Sequence, residues 1–239
     1  MIDHRAILAR GLELARIGDW AEAGRLLDRA ASRFPDDGLL WETIGACRHR
    51  AKDYAGACRA LETAGLLVPL ARRSQCILAE CFSRTGHPEL AGDLYRDLAG
   101  SPTCPDALLP EVAAGLGHLG LYAEALATCR ELARRAPAMA EAHFGMAFYL
   151  RRLGRPPAEV LPVVARAHEL APEVALYRIS LATLLDHVGR RDEARELIGH
   201  LDLDAVSCRG CLRRMTTIFR TPGPDRPAEG PRPDTDDPR

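Results

Sequence analysis

The chain has 239 residues, 47% of them hydrophobic and 27% charged, and its 32 basic and 33 acidic residues leave a formal net charge of -1. This is ordinary composition for a folded chain exposed to water, and near-neutrality makes it a poor non-specific binder of nucleic acid, a local basic stripe aside. No apolar run approaches the ~20 residues that cross a bilayer. The opening segment MIDHRAILARGLELARIGDW has neither a long apolar core nor a small-residue cleavage site, so no signal peptide is read and the cytoplasm is the default location.

Along the chain a 34-residue period stands out: Gly11 and Gly45, Trp20 and Tyr54, Ala23 and Ala57, Leu27 and Leu61, Ala30 and Ala64, and Pro35 and Pro69 are each one step apart. Carried forward, Gly18, Lys52, Gly86, Gly120 and Gly154 share one position, Leu27, Leu61, Tyr95 and Cys129 another, and Pro35, Pro69 and Pro137 a third. After Gly154 the frame slips by one, because Gly154-Arg155-Pro156-Pro157 holds an inserted residue. Repeats are therefore expected near 4–37, 38–71, 72–105, 106–139, 140–174 and 175–204. Each reads as two amphipathic helices. In the second repeat Leu40, Trp41, Ile44, Gly45 and Cys47 form one apolar stripe, Tyr54, Ala57, Leu61, Ala64 and Leu67 the other, and Pro69 stops the second helix. Small residues at Gly45, Ala79, Ala113, Ala147 and Ala182 let the paired helix approach closely.

Beyond the repeats, residues 205–220 form one more amphipathic segment, with Cys208, Cys211, Leu212, Met215, Ile218 and Phe219 on one side and arginines on the other. A stack of repeats needs such a cap on its last unit. Residues 221–239 contain no large apolar side chain and many prolines, which predicts a disordered tail.

The motif residues Trp41, Ile44, Gly45, Tyr54, Ala57, Leu61, Ala64 and Pro69, matched in the fourth repeat by Val112, Ala113, Leu116, Gly120, Tyr122, Ala125, Leu132 and Pro137, resemble the tetratricopeptide repeat (TPR) family. The resemblance covers about residues 4–204 in six copies. It implies an all-α, right-handed superhelical solenoid of helix–turn–helix repeats, here with a C-terminal capping helix. It also implies a concave groove, lined by the first helices, that binds peptides or proteins and does no catalysis.

Groove positions implied by the resemblance include Glu42, Ala46, Cys76, Glu80, Phe144 and Phe148; the last two lie four apart on one helix face and suit anchoring. Packing against the fourth repeat is their plainer role. The thirteenth position of the frame holds Arg16, Arg50, Arg84, His118, Arg152 and His187. Such a ladder suits an acidic segment or a carboxylate of a partner. It equally suits the helix dipole, which a cation at a C-terminus complements by about 0.3–1 kcal/mol. The Lys/Asn clamp for chaperone tails is missing, since the chain has no asparagine and its one lysine, Lys52, lies in a turn.

Other chemistry finds little support. The eight cysteines, mostly inside helical patterns, read as reduced and buried rather than paired. Cys208-x2-Cys211 could bind metal with His187 or His200, or act in redox chemistry, but no second such pair exists and both lie on an apolar stripe. No phosphate loop or nucleophile elbow is present, so no enzyme, cofactor or metal is expected. The function read from the sequence is a protein- or peptide-binding adaptor or scaffold of the assembly co-chaperone type, with an acidic segment among its candidate partners. Nucleic acid and membrane are not expected partners. The alternative is a metal- or thiol-dependent accessory protein using Cys208 and Cys211. Pro110, Gly115 and Gly117 in one first helix also predict a weak joint over 100–120, each interior glycine costing about 0.8–1 kcal/mol against alanine.

Overall fold

The computed structural model describes residues 4–199 and 209–220, and among these there are α-helices and one short 3-10 turn but no strand. First helices are α1 (His4–Arg16), α3 (Gly38–Arg50), α5 (Arg72–Arg84), α7 (Leu109–His118), α9 (Ala140–Arg152) and α11 (Ala175–His187). Second helices are α2 (Trp20–Ala31), α4 (Tyr54–Leu67), α6 (Pro88–Gly100), α8 (Tyr122–Arg135), α10 (Pro157–Leu170) and α12 (Arg191–Ile198), and α13 spans Arg209–Arg220. α7 starts late because a 3-10 turn takes Asp106–Leu108, with Pro110 in the first helical turn, where its missing N–H costs little. Among the described residues no helix is long and apolar enough to cross a membrane.

The chain divides into two compact units, Met1–Leu153 and Gly154–Arg239. In the first, α1 to α8 form four helix pairs and α9 packs on α8 and α7. In the second, α11 packs against α10 and α12, and α13 packs on α11 and α12 with Met215 and Ile218 buried. The Leu212 and Phe219 side chains, expected in that contact, lie outside the described residues, as do residues 205–208 and the tail 221–239.

The turn within each repeat explains the glycine period. Gly18, Gly86, Gly120, Gly154 and Gly189 have φ between +72° and +88°, and Lys52 occupies the same position with φ +63°. This left-handed residue ends the first helix in a double closure: the Gly18 amide donates to the Ala15 carbonyl at 3.1 Å and the Asp19 amide to that of Leu14 at 3.0 Å. The following aspartate then starts the next helix. Asp19 Oδ1 accepts from the Glu22 amide at 3.1 Å and Asp53 Oδ1 from the Gly56 amide at 2.9 Å.

Packing follows a second glycine rule. The series Leu27, Leu61, Tyr95 and Cys129 is buried on the second helices, and each member sits on a glycine of a first helix. A Cβ added at Gly11 or Gly45 would come within 2.5 Å of Leu27 or Leu61, one at Gly145 within 2.7 Å of Cys129 Sγ, and one at Gly115 into the Tyr95 ring. Gly117 receives the Tyr149 ring in the same way, and Tyr149 Oη donates to the Ala113 carbonyl at 2.8 Å. This packing runs against the expected weak joint at 100–120. Its glycines are seats for two tyrosines, Leu109, Val112 and Leu116 are fully buried, and the division of the chain falls at Leu153 and Gly154 instead. The burial of two aromatic rings outweighs about 2 kcal/mol of lost helix propensity.

Two predictions follow from these turns and seats. A left-handed conformation costs a non-glycine residue about 1–2 kcal/mol, partly offset by glycine's larger freedom when unfolded. Lys52→Gly should therefore stabilise the protein by about 0.5–1 kcal/mol, whereas Gly86→Ala, which meets no atom within 4 Å, should destabilise it by about as much through backbone strain alone. Thermal unfolding of both variants checks the opposite signs. In native-state hydrogen exchange, amides of 109–118 should be protected as well as those of 38–50; faster exchange would restore the joint.

Candidate functional site

α1, α3, α5, α7 and α9 lie side by side in the first unit. These helices carry the expected groove residues other than His187, which is exposed at the end of α11 in the other unit. Between α5 and α7 lies a cleft of about 470 Å³. The small side chains of Cys76, Ser83, Ala114 and Gly115 leave the space, and Tyr95 of α6 closes the bottom. Glu80 and Arg84 line one side, Glu111 and His118 the other. Four of the expected groove residues, Cys76, Glu80, Arg84 and His118, thus converge.

The acids of the cleft, and Glu42 of α3, are already engaged. Glu80 Oε2 lies 2.9 Å from His49 Nε2, and its Oε1 3.5 Å from Arg84 Nη2. Glu111 pairs with Arg73. Glu42 Oε1 accepts the Ala71 amide at 3.0 Å, so Glu42 satisfies a backbone donor at the start of the next first helix. Burial pushes the Cys76 thiol up to about 12, with the Glu111 carboxylate adding to it. A thiol so held is no nucleophile at neutral pH. Burial likewise raises the Tyr95 phenol.

The ladder of the thirteenth position has partners that its spacing did not reveal. Arg50 lies over the Trp20 ring at 5.7 Å, Arg84 over Tyr54 at 5.5 Å and Arg152 over Tyr122 at 4.6 Å, with Arg152 also donating to the Tyr122 hydroxyl. Each cation covers the aromatic that opens the second helix of the preceding repeat, 30 residues earlier. Where that residue is proline, at Pro88 and Pro157, the residue 30 later is His118 or His187. Arg16 is exposed on α1. Phe144 is half-buried, while Phe148 is 52% exposed and sets its edge against Tyr149, ring centres 5.1 Å apart.

Tyr95 and Glu111 line the cleft, and His49 and Arg73 pair with its carboxylates, though none of the four was expected there. Arg73 and Glu111 are 38 apart and His49 and Glu80 are 31 apart, so a 34-residue period brings neither pair into register. Cys47, Cys58, Cys76, Cys81, Cys104 and Cys129 are free and buried, as a structural role requires. Among the described residues no cluster of three or more His, Cys, Asp or Glu is arranged to hold a metal ion. Cys208 and the Cys211 side chain lie outside the described residues.

No family model matches the sequence. The chain is 28% identical over 188 residues to Protein FlbA of Caulobacter vibrioides, a match covering 79% of this chain and 26% of FlbA, so the chain spans about a quarter of that relative. Among solved structures, a tetratricopeptide repeat protein from Parabacteroides merdae superposes with a TM-score of 0.70 at 16% identity, covering 90% of this chain and 85% of the other. YrrB, described as a TPR protein with an unusual peptide-binding site, gives a TM-score of 0.60 at 15% identity over 73% of this chain and 90% of its own. At such identities the likeness is one of fold.

The stacked arginines generate a stability prediction. An exposed cation–π pair contributes about 0.5–1 kcal/mol. A double-mutant cycle of Arg152→Ala and Tyr122→Leu, followed by chemical denaturation, should return a coupling of that size, and the same cycle at His118 and Pro88 should return none.

Proposed function

We infer that this chain, whose fold is that of the tetratricopeptide repeats, is a protein-binding scaffold that holds a segment of a partner along the first helices of its N-terminal unit. The observation that carries this reading is the cleft between α5 and α7, where Glu80, Arg84, Glu111 and His118 gather around small side chains. Charged groups at its walls and the exposed Phe148 of α9 are the two kinds of contact a peptide groove uses, polar orientation and an aromatic anchor. The peptide-binding site described for YrrB, a protein of the same fold, supports the reading by analogy.

The favoured partner is an acidic segment. Arg16, Arg50 and Arg152 meet no carboxylate among the described residues, whereas Glu42, Glu80 and Glu111 are already engaged. Stacking on a ring leaves the guanidinium edge with donors to offer a carboxylate. We place the protein among cytoplasmic adaptors and assembly co-chaperones, which hold a partner without changing it. With its thiol protonated by burial, Cys76 supports holding over chemistry.

A photo-crosslinking side chain placed at Ala114, which is exposed in the cleft, should capture a partner from the native host. The same side chain at Arg59, exposed on the second helix α4, should not. Replacing Arg16, Arg50 and Arg152 by glutamate should weaken capture at least tenfold with helicity retained, and raised salt should weaken it in the wild type. Capture that is equal at both positions, or that survives the triple change and high salt, would overturn the reading.

A further inference from the structure

A second cleft lies wholly within the C-terminal unit. α11 packs against both α10 and α12, and the space over it between those two second helices holds about 770 Å³. α12 is short, eight residues against the fourteen of α10. Leu161 and Ala165 of α10, Leu181 and Leu185 of α11 and Leu197 of α12 make the lining apolar. The arrangement is the reverse of the cleft in the N-terminal unit, which two first helices form over a second helix.

Its charges are separated by element. On the α10 and α11 side, Arg178 donates to the Pro172 carbonyl at 2.7 Å and has no carboxylate partner among the described residues. Beside it His168 keeps Nδ1 buried with no partner among the described residues, and burial, with Arg178 adding, lowers its pKa and holds the ring neutral. On the α12 side, Glu193 is held by Arg190, while the Glu196 carboxylate has no partner among the described residues. An aliphatic floor therefore lies between one cation and one anion that are uncompensated among the described residues.

We propose that this cleft is a second docking site, which takes an amphipathic helix of a partner protein with an acidic residue on one flank for Arg178 and a basic residue on the other for Glu196. The lining selects a helix over an extended segment. An extended backbone would leave its N–H and C=O groups unpaired against leucine side chains, whereas a helix satisfies its own. The carboxylates of Glu193 and Glu196 disfavour an anionic amphiphile. Aliphatic side chains one helical turn apart would follow the floor formed by Leu181 and Leu185. The site shares no residue with the N-terminal cleft, so neither reading depends on the other.

The test uses the full chain and two synthetic helical peptides of sixteen residues. Both carry leucine at one-turn spacing; one has aspartate and arginine on opposite flanks of the leucine stripe, and the other has those two exchanged. By fluorescence anisotropy one charge arrangement should bind at least tenfold more tightly than the other. The double variant Arg178→Glu, Glu196→Arg should invert that preference. A misfolded cleft would lose both peptides rather than invert their order, so damage cannot imitate the result. Equal binding of the two peptides, no binding of either, or a preference that the double variant leaves in place would overturn the proposal. Sedimentation showing a dimer that either peptide dissociates would assign the cleft to a second copy of the chain and overturn it as well.

Discussion

The N-terminal unit depends on one steric condition: a large side chain from each second helix must find a first-helix residue without a side chain. Leu27 and Leu61 meet that condition inside their own repeats, at Gly11 and Gly45. Tyr95 and Cys129 meet it in the following repeat, at Gly115 and Gly145. The seat moves when the occupant changes. Tyr95 has Ala79 rather than a glycine in its own first helix and sits on Gly115 of the next repeat. The fold thus tolerates exchange of Leu for Tyr or Cys at one position so long as a glycine appears at another, and a glycine that looks like a weakness within its helix is the reason neighbouring helices can close on each other.

The cations at the ends of the first helices obey a similar pairing between repeats. Arginine stands where Trp20, Tyr54 or Tyr122 lies beneath it, and histidine where Pro88 or Pro157 takes the ring's place. Helix-dipole chemistry alone would accept any cation at all of these places, so the choice between Arg and His reports on the preceding repeat. A flat guanidinium stacks on an aromatic face and still has N–H donors at its edge. The same side chain can therefore join two repeats and remain available to a ligand.

Much of this organisation is legible in the sequence. The turn period and the starts at His4, Gly38, Arg72, Ala140 and Ala175 come directly from a 34-residue frame with one insertion, because the left-handed turn and the helix lengths are local properties. Pairings across repeats are less accessible. His49 with Glu80 and Arg73 with Glu111 depend on how adjacent helices are rotated, which no period records. The N-terminal cleft owes its volume to what Cys76, Ser83, Ala114 and Gly115 lack, and a sequence pattern built on large apolar residues passes over them. The C-terminal cleft gathers side chains of α10, α11 and α12, whose relative rotation no period records. The seating of Gly115 and Gly117 is hidden for the same reason: propensity is a property of one helix, and the tyrosines come from two others.

Lys52 carries a consequence of a different kind. It is the one lysine of the chain, exposed in the turn between α3 and α4. Its amide donates to the His49 carbonyl at 2.9 Å and the next amide, that of Asp53, to the Arg48 carbonyl at 2.9 Å, so its backbone is held at both ends. Among side chains, amine-directed chemistry has a single address on this molecule, and the turn geometry keeps that address in a fixed place on the second repeat. A fluorophore, a surface tether or an enzymatic acyl group attached there would mark one known point of the N-terminal unit, and its arginines would go untouched.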